Sequence, residues 1–142
     1  MKKILLLALL SATTFFTSCS NDDNSDSTST QEELLIGTWK LKESGKIING
    51  NDVSDDLSEC ELKSNITFNK DTFSDDFYEL NNTCENYKEN GEWSLIDDVI
   101  KIKYSENDKS ELTILKLTKD ELRLKDSHDI DGDYYSVYSR VN

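Results

Sequence analysis

A chain of 142 residues is sized for one ordinary domain, and its 29 acidic against 16 basic residues leave a net charge of −13. A surface of that sign repels phosphate backbones, which argues against nucleic acid as a partner. It also excludes docking on a membrane through a basic patch.

The chain opens with Lys2 and Lys3, followed by an apolar stretch over residues 4–16. That stretch is too short to span a bilayer, which takes ~20 apolar residues, and it fits the apolar region of a signal peptide. Small residues Thr17 and Ser18 then precede Cys19. Phe16-Thr17-Ser18-Cys19 resembles a bacterial lipobox, in which the cysteine thiol is acylated and the same cysteine becomes the new N-terminus. The resemblance implies a signal peptide over residues 1–18 and a palmitate-type lipid on Cys19, anchoring the protein to a membrane. Phe16 departs from the leucine commoner at that place, so an ordinary cleaved signal stays open as the alternative. Loss of Lys2 and Lys3 would take the net charge from −13 to −15.

Residues 20–31 contain no apolar side chain and cannot bury a core. With Cys19 they predict a disordered acidic tether over residues 19–32, reaching ~20 Å. Asn21-Asp22-Asp23 resembles the acidic export signal of some lipoproteins of outer-membraned bacteria. That implies an outer-membrane lipoprotein displayed on the cell surface; a generic acidic spacer is the other reading. With Cys19 lipidated, Cys60 and Cys84 remain as an even pair in an oxidising compartment, which predicts a disulfide worth ~3 kcal/mol. Two free buried thiols are the alternative. Zinc lacks support, because no Cys-x-x-Cys or nearby histidine accompanies them.

From Leu34 onward short strands alternate with polar turns. Trp39 and Leu41 alternate with Lys40 and Lys42, Ile47 and Ile48 follow, and Asn49-Gly50-Asn51 turns the chain. Residues 52–63 read as an acidic, looser segment with a short helical turn near Leu57. Ile66 and Phe68 mark the next strand, and Asn69-Lys70-Asp71 turns again. Residues 72–80 carry Phe73, Phe77 and Tyr78, whose spacing predicts a bulge. Residues 81–86 read as a loop carrying Cys84. Trp93 and Leu95 share one face, and Asp97-Asp98 turns into Ile100, Ile102 and Tyr104, which alternate with Lys101 and Lys103. Leu112 and Ile114 open another strand, Leu122 and Leu124 the next. A polar loop over residues 126–133 precedes a last strand over 134–141. About eight strands without a long helix between them predict an all-β domain over residues 33–142, a single up-and-down antiparallel β-barrel, with an open sandwich as the alternative.

Gly37-Thr38-Trp39 at the first strand, Arg140 in the last, the Cys60 and Cys84 pair and the strand order together resemble small bacterial lipocalin-like lipoproteins. Resemblance to lipocalins implies that Trp39 closes the barrel base with Arg140 stacked on it, and that Gly37 allows close backbone approach there. A second Gly-x-Trp, Gly91-Glu92-Trp93, has no family role to carry over.

Four chemistries deserve weighing. An eight-stranded barrel is wide enough to be filled by side chains or to hold one small ligand. Alternation points Leu41, Phe68, Phe73, Trp93, Ile102, Tyr104 and Ile114 inward among other apolar residues, so a ligand there would be largely apolar. Asp129-Ile130-Asp131-Gly132-Asp133 resembles a piece of a calcium loop, but with Gly132 sixth, Ser127 and Tyr138 stand where Asp and Glu are needed. It therefore reads as a turn, and no metal or cofactor is expected. His128 lies beside Asp126 and Asp129 and reads as a solvated loop histidine, so no catalytic residue and no enzyme is expected. The acids around Asp52 to Glu61, and Asp75 with Asp76, read as a solubilising face. Two functions follow: a lipid-anchored, monomeric binding protein holding a small hydrophobic ligand, or a surface protein with a filled barrel whose loops contact protein or glycan.

Overall fold

The computed structural model describes residues 30–80, 83–128 and 132–142; Cys19 and Asp129-Ile130-Asp131 lie outside the described residues. The first element is a single helical turn, α1, Gln31–Leu35. Thr30 Oγ1 accepts from the Glu33 amide at 3.2 Å, and Glu33 accepts from the Thr30 amide at 2.9 Å. This reciprocal pair satisfies two otherwise orphaned donors at the helix start. This helical turn, capped by Thr30, thus lies partly inside the stretch expected to be tether. Thr30-x-x-Glu33 was the signal for it.

Nine strands follow: β1 Gly37–Ile48, β2 Asn51–Ser54, β3 Asn65–Phe68, β4 Thr72–Leu80, β5 Cys84–Ile96, β6 Val99–Lys103, β7 Lys109–Leu117, β8 Glu121–His128 and β9 Gly132–Arg140. Every neighbouring pair is antiparallel, and β9 returns to pair with β1. Eight strands, β1 and β3 to β9, thus close a barrel, and β2 adds a short ninth against the later half of β1. Closure leaves few bare edges, the reason a meander of this size curls up.

Asn49 and Gly50 both take positive φ, 51° and 77°, and make the two-residue hairpin turn from β1 into β2. The loose segment expected after this turn thus starts as a strand, and its helical turn is a 3₁₀ turn at Glu61–Lys63 rather than one at Leu57. All four residues of β2 are exposed, so no alternation marked them. Residues 55–64 cover the wall between β1 and β4 beyond the end of short β3. Ser64 bridges the two, its carbonyl accepting from the Leu41 amide at 2.9 Å and its hydroxyl from the Tyr78 amide at 2.9 Å. A Cys60–Cys84 disulfide, with Cα atoms 5.7 Å apart, pins this cover to the start of β5. Cys84 is therefore in a strand, not in a loop.

The bulge expected in β4 is absent. Register runs unbroken from Thr72↔Glu92 to Leu80↔Cys84, and the irregularities fall in β1 between Leu41 and Glu43 and in β7 between Ile114 and Lys116. Phe73, Asp75 and Phe77 consequently share the inward face of β4. The apolar core holds Leu35, Trp39, Ile66, Phe68, Phe73, Ile100, Ile102, Ile114, Leu122 and Leu124. It fills the half of the barrel beside α1, called the base below; the opposite end is the mouth.

Candidate functional site

The base is closed by one aromatic residue and one cation. Trp39 is fully buried, and its indole N–H donates to the Leu35 carbonyl at 2.8 Å, fixing α1 across the barrel end. The Arg140 guanidinium lies 4.1 Å from the Trp39 ring centroid. It donates to the Ile36 carbonyl at 2.8 Å, to the Lys119 carbonyl at 2.6 Å and to the Leu34 carbonyl. Stacking and hydrogen bonding thus spend most of the guanidinium fork on the last carbonyls of α1 and its exit. Gly37 sits at φ 135°, and a Cβ there would come within 2.5 Å of Arg140 Nη1. These residues seal the barrel; none of them lines the interior cavity above.

Above the base the interior changes character. A cavity of about 170 Å³ lies between β3, β4, β7, β8 and β9, with Tyr104, just past the end of β6, closing its side. Ile66, Phe73, Leu112 and Leu124 supply its apolar lining. The rest is polar: Asp75, Tyr104, Ser110, Asp126, Tyr134, Ser136 and Tyr138. This corrects the expectation of an apolar lining. Of the seven residues expected to meet a ligand, Phe73 and Tyr104 line the cavity. Phe68, Ile102 and Ile114 are packed into the base core, Trp93 packs on Phe68 with ring centroids 5.1 Å apart, and Leu41 is half-buried in β1 opposite Tyr138. Trp93 also donates its indole N–H to the Asn69 carbonyl at 2.7 Å, a base-loop contact.

The polar residues sit at inward positions for the same reason the apolar ones do. Asp75 follows Phe73 by two, Asp126 follows Leu124 by two, and Ser136 stands between Tyr134 and Tyr138. Strand period, not residue type, chose the face. Asp75 is largely buried, and among the described residues nothing hydrogen-bonds to it or pairs with it. Burial first, then the neighbouring charges of Glu89 and Asp76, push its carboxyl up to about 6. Burial likewise raises the Tyr104 and Tyr138 phenols, helped in both cases by Asp75.

Among the described residues His128 and Lys46 stand at the rim of this space. His128 contacts Asp126 at 3.0 Å and packs edge-on to Tyr134, and the Lys46 ammonium lies 5.0 Å from the Tyr134 ring centroid. His128 belongs to β8 and not to a loop, and it has a carboxylate partner. Above Asp75, Phe77 and Tyr87 stack with centroids 5.3 Å apart on the facing strands β4 and β5. Among the described residues no cluster of three metal-ligating side chains forms.

Outside the barrel, Tyr135 is buried although it points outward. It lies over Gly45, and its hydroxyl meets Ser54 at 2.8 Å and Glu43 at 2.6 Å. Arg123 covers the Tyr135 ring at 4.7 Å and bridges to Asp52. The two hydroxyls hold the Glu43 carboxyl below the usual range. This cluster fastens β2 to the wall and leaves the cavity untouched.

A family model described as the lipocalin-like domain matches residues 35–124. The chain belongs to the lipocalin-like domain family. A lipocalin-like protein from Bacteroides uniformis superposes with a TM-score of 0.55 at 20% identity, over 76% of this chain and 99% of that one. A protein from Bacteroides eggerthii gives a TM-score of 0.52 at 17% identity, over 75% of this chain and 99% of that one. Apocrustacyanin C2 gives 0.51 at 15% identity, over 81% of this chain and 65% of that one. At these identities the likeness is one of fold. No curated protein matches the chain. In this lipocalin-like barrel the base is a structural lock, and the mouth holds the interior cavity.

Proposed function

We propose that this lipocalin-like chain is a monomeric, lipid-anchored extracytoplasmic binding protein that takes one small ligand into the mouth of its barrel. The space above a sealed base, open at the barrel mouth, carries this reading. A cavity of ~150 Å³ in a protein core holds benzene, so about 170 Å³ suits a ligand built on a single ring. Drug-sized ligands take ~300 Å³ or more and are too large. The cavity supports a binder over a filled barrel acting through its loops.

The anchor rests on sequence: residues 4–16, then Thr17, Ser18 and Cys19, then the acidic run Asn21-Asp22-Asp23. It would hold the domain at the outer membrane, with residues 20–29 as a spacer. Palmitate labelling should mark the wild type and vanish in Cys19→Ala; persistent labelling contradicts the lipid site. For the cavity, calorimetric titration of the purified protein with phenol should show one site, lost in Ser136→Leu with the melting temperature retained. A wild type that takes up no phenol, or a variant that binds it equally, contradicts the barrel as a binder.

A further inference from the structure

Resting on the barrel-binder reading, we propose that the ligand is a small organic cation, a protonated amine carried on a single ring, with its ammonium against Asp75 and its ring on the apolar lining below. Two observations and one physical cost carry this. Asp75 projects into the cavity without a hydrogen-bond donor or cation of its own among the described residues. A buried carboxylate in that state is costly until something supplies the missing charge. The described basic side chains at the rim do not supply it, because His128 contacts Asp126 and Lys46 lies over Tyr134.

The remaining lining suits the same ligand. Tyr104 and Tyr138 flank Asp75 with phenol oxygens that can accept from an ammonium, and aromatic faces attract cations. Glu89 lies opposite Asp75 across the β4–β5 pair and adds a second negative charge near the entrance. An anionic ligand would meet these carboxylates with like charge. A neutral hydrophobe would fill the space and leave Asp75 unpaired. A protonated amine brings a charge and up to three N–H donors, while Phe73, Leu112 and Leu124 receive its ring. The cavity's size allows one ring and excludes two.

Calorimetric titration of the purified protein at pH 7.5 with benzylamine and with its neutral isostere benzyl alcohol tests this directly. The expected result is benzylamine binding about tenfold or more tighter than the alcohol, the gain of one charge-assisted contact. Asp75→Asn should bring the amine down to the level of the alcohol and leave the alcohol unchanged. Glu89→Gln, at an exposed position, should weaken the amine several-fold. Equal binding of the two probes, or preference for the alcohol, overturns the amine assignment and leaves the barrel as a binder. Binding of neither removes both readings. An amine preference that survives in folded Asp75→Asn overturns the role of Asp75.

Discussion

Base and mouth are built on the same strands with opposite electrostatic logic. At the base, every polar atom that matters has a partner: the Trp39 indole N–H on the Leu35 carbonyl, and the Arg140 guanidinium on three backbone carbonyls. At the mouth, Asp75 is largely buried with no partner among the described residues, beside phenols whose acidity burial suppresses. The base maximises stability. The mouth gives some up and keeps a space open. Buried polar groups left unmatched in this way point to something that arrives from outside.

Substitutions of Trp39 at the base and of Asp75 at the mouth should therefore move stability in opposite directions. The largest loss is expected for Trp39→Ala, which empties the middle of the base and should cost ~3–5 kcal/mol in denaturant unfolding. Next is removal of the disulfide by Cys60→Ser with Cys84→Ser. The cover over residues 55–64 loses its pin, and unfolding should ease by ~2–4 kcal/mol.

Asp75→Asn should go the other way. A carboxyl raised to about 6 in the folded chain from an ordinary 3.8 favours folding fully below that ordinary value, and the benefit is lost as pH rises through about 6. Above pH 7 the charged form therefore burdens the fold. The amide should stabilise by roughly 2–3 kcal/mol at pH 8, from 1.36 kcal/mol per unit, and by little at pH 4. Melting curves at the two pH values check this, and a gain of the same size at both contradicts it. The smallest effect is expected for Arg140→Lys, which keeps the charge but loses the planar fork on Trp39 and the carbonyls. It should cost ~1 kcal/mol and leave benzylamine binding unchanged.

The same contrast explains what could be read from the sequence. Strands β1, β3 and β5 to β9 showed themselves through apolar residues two apart, as in Ile100, Ile102 and Tyr104. The barrel followed from their number and from the short turns between them. The Cys60–Cys84 disulfide followed from cysteine parity. The mouth stayed hidden because a charged residue at an inward position looks like a break in the pattern. Phe73, Asp75 and Phe77 keep perfect period-two spacing, yet the adjacent aromatics Phe77 and Tyr78 suggested a slip, and a bulge was expected where the register is continuous. Asp126 after Leu122 and Leu124, and Ser136 between two tyrosines, were missed for the same reason. β2 has no buried side to betray it, since its partner strand and the Tyr135 cluster hold it from outside the core.

An NMR titration of isotope-labelled protein with benzylamine, read through contacts between the ligand's ring protons and the protein's methyl groups, tests the mouth most directly. The ring should contact the methyls of Leu112 and Leu124 inside the barrel, with amide shifts centred on Asp75 and Ser136. Ring contacts to outward methyls such as those of Leu115 or Ile96, or shifts spread over the outer wall, would contradict a ligand site within the barrel.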